Sequence, residues 1–178
     1  MSQGILTYVS PDEYLRLERQ AEYKSEYLNG EIFAMSGASR QPNLITANIG
    51  AEFNRQLKGK PCEAYASDMR VKVRANGLYT YPDVIVVCGE PQFEDKEVDT
   101  LLNPTLLVEV LSQSTERYDR IAKTSRLEQY AKQPNGQWSL TQYTSPDEIV
   151  KLPSINCSLR LGNVYDKVTF DPNYRVSR

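Results

Sequence analysis

The chain has 178 residues, the length of one domain, and it can bury a core without disulfide or zinc staples. Its 21 Lys and Arg residues against 23 Asp and Glu give a net charge of −2, which excludes a histone-like or tail-driven nucleic-acid binder. It contains no histidine, which removes Ser-His-Asp and Cys-His catalysis, the zinc hydrolases and the deaminase type of site. Any chemistry must rest on carboxylates, lysine, tyrosine, arginine or a hard metal ion.

Ser10-Pro11-Asp12-Glu13 reads as a helix start: a capping serine, a proline at the first helical position and acids at the positive end of the dipole. The helix is expected to run to about residue 22. Asn29-Gly30, between Tyr23–Leu28 and Glu31–Met35, predicts a type I′ hairpin. After the small-residue turn Ser36-Gly37-Ala38-Ser39, apolar residues at helical spacing predict a helix from Pro42 to Lys58, ended by Gly59-Lys60-Pro61. Glu63–Ala66 and Met69–Arg74 read as strands. In the second, Arg70, Lys72 and Arg74 alternate with apolar residues and predict one wet face. Tyr81–Cys88 and Thr105–Leu111 read as buried strands on either side of an acidic loop. A helix is expected from Ser114, a turn at Gln133–Gly136, a strand over Gln137–Tyr143, a short piece at Ile149–Leu152 and a helical turn at Leu161–Tyr165.

Cys62, Cys88 and Cys157 are odd in number and form no CxxC pair, so free thiols are expected and a structural zinc site is not. The apolar runs are too short to span a bilayer and the start lacks a signal-peptide pattern, so the expected compartment is the cytoplasm.

Two acids stand where acids are costly. Asp83 opens one apolar strand, and Glu109 sits between Val108 and Val110 in the other. A carboxylate in a buried strand costs several kcal/mol unless it is paired, hydrogen-bonded or bound to a metal ion. Two on neighbouring strands suit a shared Mg²⁺ or Mn²⁺ ion. The plainer reading is that they face solvent or pair with Arg70 or Arg120. Lys123 follows on the next helix, in a stripe with Arg117, Arg120 and Arg126. That stripe is either a solvated helix face or a phosphate-contacting one.

Tyr81-Pro82-Asp83-Val84 and Val108-Glu109-Val110-Leu111-Ser112 occur in order with Ser10–Tyr14, Asn29–Ile32, Ser36–Ser39, Ser67–Val71 and Tyr118-Asp119-Arg120. This ordered set resembles the Uma-type restriction endonuclease family of the PD-(D/E)xK nuclease superfamily, over nearly the whole chain. The resemblance implies an α/β (α+β) restriction-endonuclease-like fold: a central mixed sheet flanked by helices, with an N-terminal helix and hairpin. It implies a single domain over 1–178 with its core at about 40–132. It implies that Asp83 and Glu109 are catalytic and hold Mg²⁺ or Mn²⁺, with the Val110 carbonyl as a further ligand. Leu111 stands where the usual lysine would be, and the resemblance implies that Lys123 takes that role. Glu31 and Asp68 match other acidic positions of the family pattern. The implied chemistry is hydrolysis of phosphodiester bonds in nucleic acid, expected to be DNA, by a homodimer with no membrane association.

Two departures from the family pattern matter. Pro42 replaces a histidine that members often carry after the Gly-Ala-Ser turn. After Lys123, a helix extension and an apolar core strand are missing, which leaves a sheet edge in need of cover. The alternative reading is therefore a catalytically impaired member that binds nucleic acid or serves assembly. A third reading, a protein-interaction domain, rests only on the chain's 12 tyrosines.

Overall fold

The computed structural model describes residues 8–110, 127–133, 135 and 137–169. The expected helix from Ser114, with Arg117, Arg120, Lys123 and Arg126, lies outside them. Among the described residues the chain forms two compact units, Met1–Gly37 with Pro61–Val108 and Ala38–Lys60 with Glu109–Arg178. The architecture is mixed α+β, with a five-stranded mixed sheet and few helices.

In the first unit, α1 (Pro11–Glu18) starts as the sequence predicts. The Ser10 hydroxyl accepts the Glu13 N–H at 3.2 Å, and Pro11 opens the helix. Strands β1 (Ser25–Leu28) and β2 (Glu31–Ala34) form the expected hairpin. Asn29 (φ 51°) and Gly30 (φ 93°) are both left-handed, as a type I′ turn requires. Gly30 has a second reason to be glycine, since a Cβ there would lie 2.1 Å from the Tyr8 ring.

The hairpin continues into a sheet ordered β2-β1-β5-β4-β7, where β4 is Arg70–Val73, β5 Leu78–Thr80 and β7 Thr100–Leu101. The short β5 and β7 are not evident in the sequence. All neighbours in this sheet are antiparallel except β4 and β7. Against it lie Tyr14, Tyr27 and Tyr79, with ring centroids 5.0–5.7 Å apart. Their hydroxyls reach polar partners: Tyr14 donates to the Ser25 carbonyl at 2.6 Å and Tyr27 to that of Val9 at 2.9 Å. These rings and Tyr81 are core, whereas Tyr8, Tyr23 and Tyr130 are exposed.

A second sheet is ordered β3-β6-β8, all antiparallel, with β3 at Cys62–Ala66, β6 at Val84–Cys88 and β8 at Leu106–Val108. Central β6 is buried from Val84 to Val87, as its β-branched run predicts. Edge strand β8 is shorter than expected and half-exposed, with Leu107 39% accessible. Ile85 and Val87 pack with Val71 and Leu101 of the five-stranded sheet, which joins the two sheets of this unit.

Two expectations are corrected here. Cys62 and Cys88 are not free thiols: they are register partners on β3 and β6 and form a disulfide. Strand pairing brings them together across 26 residues of sequence, a distance at which spacing carries no signal. Cys157 is a free, buried thiol. The denatured, unreduced protein is therefore expected to show one reactive thiol and the reduced protein three. Three before reduction would mean that the pair is open, as cytosolic thiols usually are.

The predicted wet face of β4 also fails, at Arg70. Its side chain is buried, and it donates to Thr100 Oγ1 at 2.9 Å and Tyr81 Oη at 2.8 Å and pairs with Asp99 at 2.9 Å. A buried guanidinium is tolerated because its fork is filled by a carboxylate and two hydroxyls. Lys72, the next on that face, is half-buried against Glu94.

In the second unit, α2 (Arg40–Leu57) covers the predicted helix and begins two residues before Pro42. It packs on β12 (Cys157–Arg160) and α3 (Leu161–Val164), and β12 pairs with β11 (Ile149–Leu152). Asn48 donates to the carbonyls of Val164 and Asp166, both at 3.0 Å, and fixes the helix to the α3 turn. A separate hairpin joins β9 (Leu127–Lys132) and β10 (Trp138–Tyr143). Among the described residues no helix is long and apolar enough to cross a membrane.

Candidate active site

Strand register sets where the candidate acids lie. On the β3–β6–β8 sheet, Ala66 is opposite Val84, and Val84 is opposite Val108. Ser67, Asp83 and Glu109 are the next residues along their strands, so all three leave the sheet at one end. Neighbouring strands of such a sheet are about 4.8 Å apart. Asp83 is half-buried behind buried Tyr81 and Pro82, and Val110 is half-buried. Glu109 is exposed, one residue past β8, and is the first residue of the second unit. The expectation that Glu109 sits inside a buried strand is thus corrected. Among the described residues β8 is an edge strand that stops at Val108.

Asp68 stands in the turn after β3, at the same end of the sheet, with its side chain 88% exposed. It is ion-paired with Lys24, whose Nζ also donates to the Ser67 carbonyl at 2.9 Å. That ammonium lies 5.4 Å from the Tyr81 ring centroid. Lys24 was not legible as a site residue, because a lone lysine before a hairpin strand carries no signal. Glu31 is placed elsewhere, exposed at the turn end of β2 in the five-stranded sheet. It lies three residues along the strand from Ala34, the partner of Ser25, or about 10 Å at ordinary strand rise. Lys123 lies outside the described residues.

The strongest electrostatics of the first unit support its fold. Arg19 donates to Asp99 at 2.8 Å and 2.9 Å and to Asp95 at 2.8 Å. The Arg19 hydrogen bonds, helped by Arg70 and opposed by burial, hold the Asp99 carboxyl well below the usual aspartate range. A recess of about 280 Å³ in the second unit is lined by Asn48, Ala51, Glu52, Arg55, Asn163 and Asp166. Its Glu52 is committed to Arg55, Gln56 and Asn163. The recess also holds Asp166, which is exposed.

Among the described residues no three His, Cys, Asp or Glu side chains converge on one point. A Mg²⁺ ion does not require such a cluster. This ion keeps several waters and commonly takes only one or two protein carboxylates beside substrate phosphate.

A family model described as "Uma2: Putative restriction endonuclease" matches residues 11–133. The chain belongs to the Uma2 family. The matched span contains Lys24, Glu31, Asp68, Asp83, Glu109 and Lys123. The uncharacterized protein slr1290 of Synechocystis sp. PCC 6803 is 33% identical over 181 residues, covering 91% of this chain and 94% of its own length. That alignment is longer than this chain, so slr1290 carries residues at positions where this Uma2 member has none. The uncharacterized protein sll1609 of the same organism is 34% identical over 149 residues, covering 73% of this chain and 84% of its own. The crystal structure of a putative nuclease belonging to DUF820 from Anabaena variabilis matches with a TM-score of 0.68 at 18% identity. It covers 89% of this chain and 98% of that one, and it places the Uma2 chain in the restriction-endonuclease-like α+β fold.

Proposed function

We propose that this Uma2 chain is a Mg²⁺-dependent nuclease, able to use Mn²⁺, that hydrolyses phosphodiester bonds of DNA. The observation that carries the reading is the register. β6 begins opposite the end of β8, and Asp83 stands just before the Val84–Val108 pair and Glu109 just after it. Restriction-endonuclease-like families generally use a divalent metal ion. In this reading Asp83, Glu109 and the Val110 carbonyl hold the cation. When bound, the cation neutralises charge that grows on the transferring phosphoryl group and activates water for attack. Asp83, half-buried and fixed by Pro82 at the strand entry, supplies the rigid carboxylate. Glu109 supplies the accessible one. Lys123 contributes a positive charge to the scissile phosphate. The chain acts as one domain and as a homodimer, because cutting both strands of a duplex favours two-fold symmetry.

Pro42 favours a second reading. It is buried in the first turn of α2, where it organises the helix and offers no proton-transfer group. In that reading the chain binds DNA without cutting it. Incubation of supercoiled plasmid with the protein in Mg²⁺, Mn²⁺ or EDTA separates the two. The nuclease reading expects nicked and linear products with either metal ion and none in EDTA. Salt-sensitive, metal-independent DNA binding with no product in any arm would establish the second reading.

A further inference from the structure

We propose that Lys24 contacts a backbone phosphate of the DNA at the acid-bearing end of the β3–β6 ladder. The assignment rests on the DNA-nuclease reading above and adds a residue to it. Three contacts place the ammonium there. It donates to the carbonyl of Ser67, which leaves β3 beside the exit of Asp83 from β6. It pairs with Asp68, and it lies 5.4 Å from the ring centroid of Tyr81, two residues before Asp83. Tyr81 is itself held: its hydroxyl accepts from Arg70 at 2.8 Å and donates to Glu18 at 3.0 Å. The Lys24 carbonyl accepts the Met35 N–H at 3.0 Å, so the base of the hairpin is fixed as well.

Two other cations on β4 compare poorly. Arg70 is 2% exposed and committed to Asp99, and Lys72 is held by a Glu94 whose side chain is 20% exposed. Lys24 has a side chain 39% exposed and an acid partner 88% exposed. An ion pair with so open a partner is weak, and a phosphate oxygen can take the place of the Asp68 carboxylate without stranding a buried charge. Asp68 thus acts as a stand-in anion for the ammonium in the absence of DNA.

The test is binding of a fluorescent mixed-sequence DNA duplex in EDTA across a salt series, with the full chain and the variants Lys24→Ala, Lys24→Arg and Asp68→Asn. EDTA removes any metal contribution, and thermal melts report folding. In Lys24→Ala the slope of log affinity against log salt is expected to fall in magnitude by about 0.9, the share of one duplex phosphate. Lys24→Arg keeps the parental slope, and Asp68→Asn binds more tightly than the parent. A purely structural lysine would lower the melting temperature and leave the slope unchanged. An unchanged slope in Lys24→Ala, or weaker binding in Asp68→Asn, overturns the assignment while the nuclease reading stands. A parent chain that does not bind the duplex at low salt overturns the assignment, and plasmid cleavage with added metal ion then decides the nuclease reading separately.

Discussion

Asp83→Asn and Glu109→Gln, each alone, are expected to lower Mg²⁺-dependent DNA cleavage by at least about a hundredfold, with the fold intact. Both changes keep the size and shape of the side chain while removing its charge and turning one acceptor oxygen into an NH₂ donor. Stability should be preserved, because neither acid lies within a strand. Asp83 precedes β6 and Glu109 follows β8, so the buried run Val84–Val87 keeps its packing. Plasmid nicking alongside a thermal melt checks both halves of this expectation. Full activity in Asp83→Asn would remove the better-buried acid from the site.

A large loss of stability is expected from Asp99→Ala, about 3–5 kcal/mol in denaturant unfolding. Arg70 is 2% exposed, and its other hydrogen-bond acceptors, Thr100 and Tyr81, are neutral. Removing Asp99 leaves a buried guanidinium without a counter-ion. Arg19→Ala breaks the same cluster from its outer side, where the arginine is 30% exposed, and should cost only about 1 kcal/mol or less. The pH dependence has a definite sign. The folded Asp99 carboxyl is held below its unfolded value by Arg19 and Arg70, so its contribution is present above about pH 4 and is lost as pH falls through the folded value. The stability gap between parent and Asp99→Ala should therefore narrow in acid. A gap constant from pH 7 to strongly acidic solution would mean that the cluster's charges do not matter.

Local signals carried much of the fold. The Ser10 cap, the Asn29-Gly30 turn, the long periodicity of α2 and the β-branched run of β6 each depend on neighbours in sequence, and each is present in the structure. What could not be read depends on distant neighbours. Cys62 meets Cys88 only because β3 and β6 pair, and Arg70 is buried only because Asp99 returns beside β4 on β7's approach. Alternation along β4 shows a polar face but not whether solvent or a second charge will meet it. Strand ends are similarly non-local. The apolar run Thr105–Leu111 predicts a longer buried strand, yet β8 stops at Val108 and Glu109 is exposed. Asp83 and Glu109 were legible as acids out of place. Their shared end of the sheet became visible only through register, and Lys24 only through its contacts with Ser67, Asp68 and Tyr81.

The most direct measurement is a calorimetric titration of Mn²⁺ into the parent chain beside Asp83→Ala and Glu109→Ala, which requires no choice of substrate. Saturable binding to the parent and its loss in both variants are expected. Parental binding that survives in Asp83→Ala would contradict the proposed site, because the ion would then be held by residues other than the pair at the end of β6 and β8.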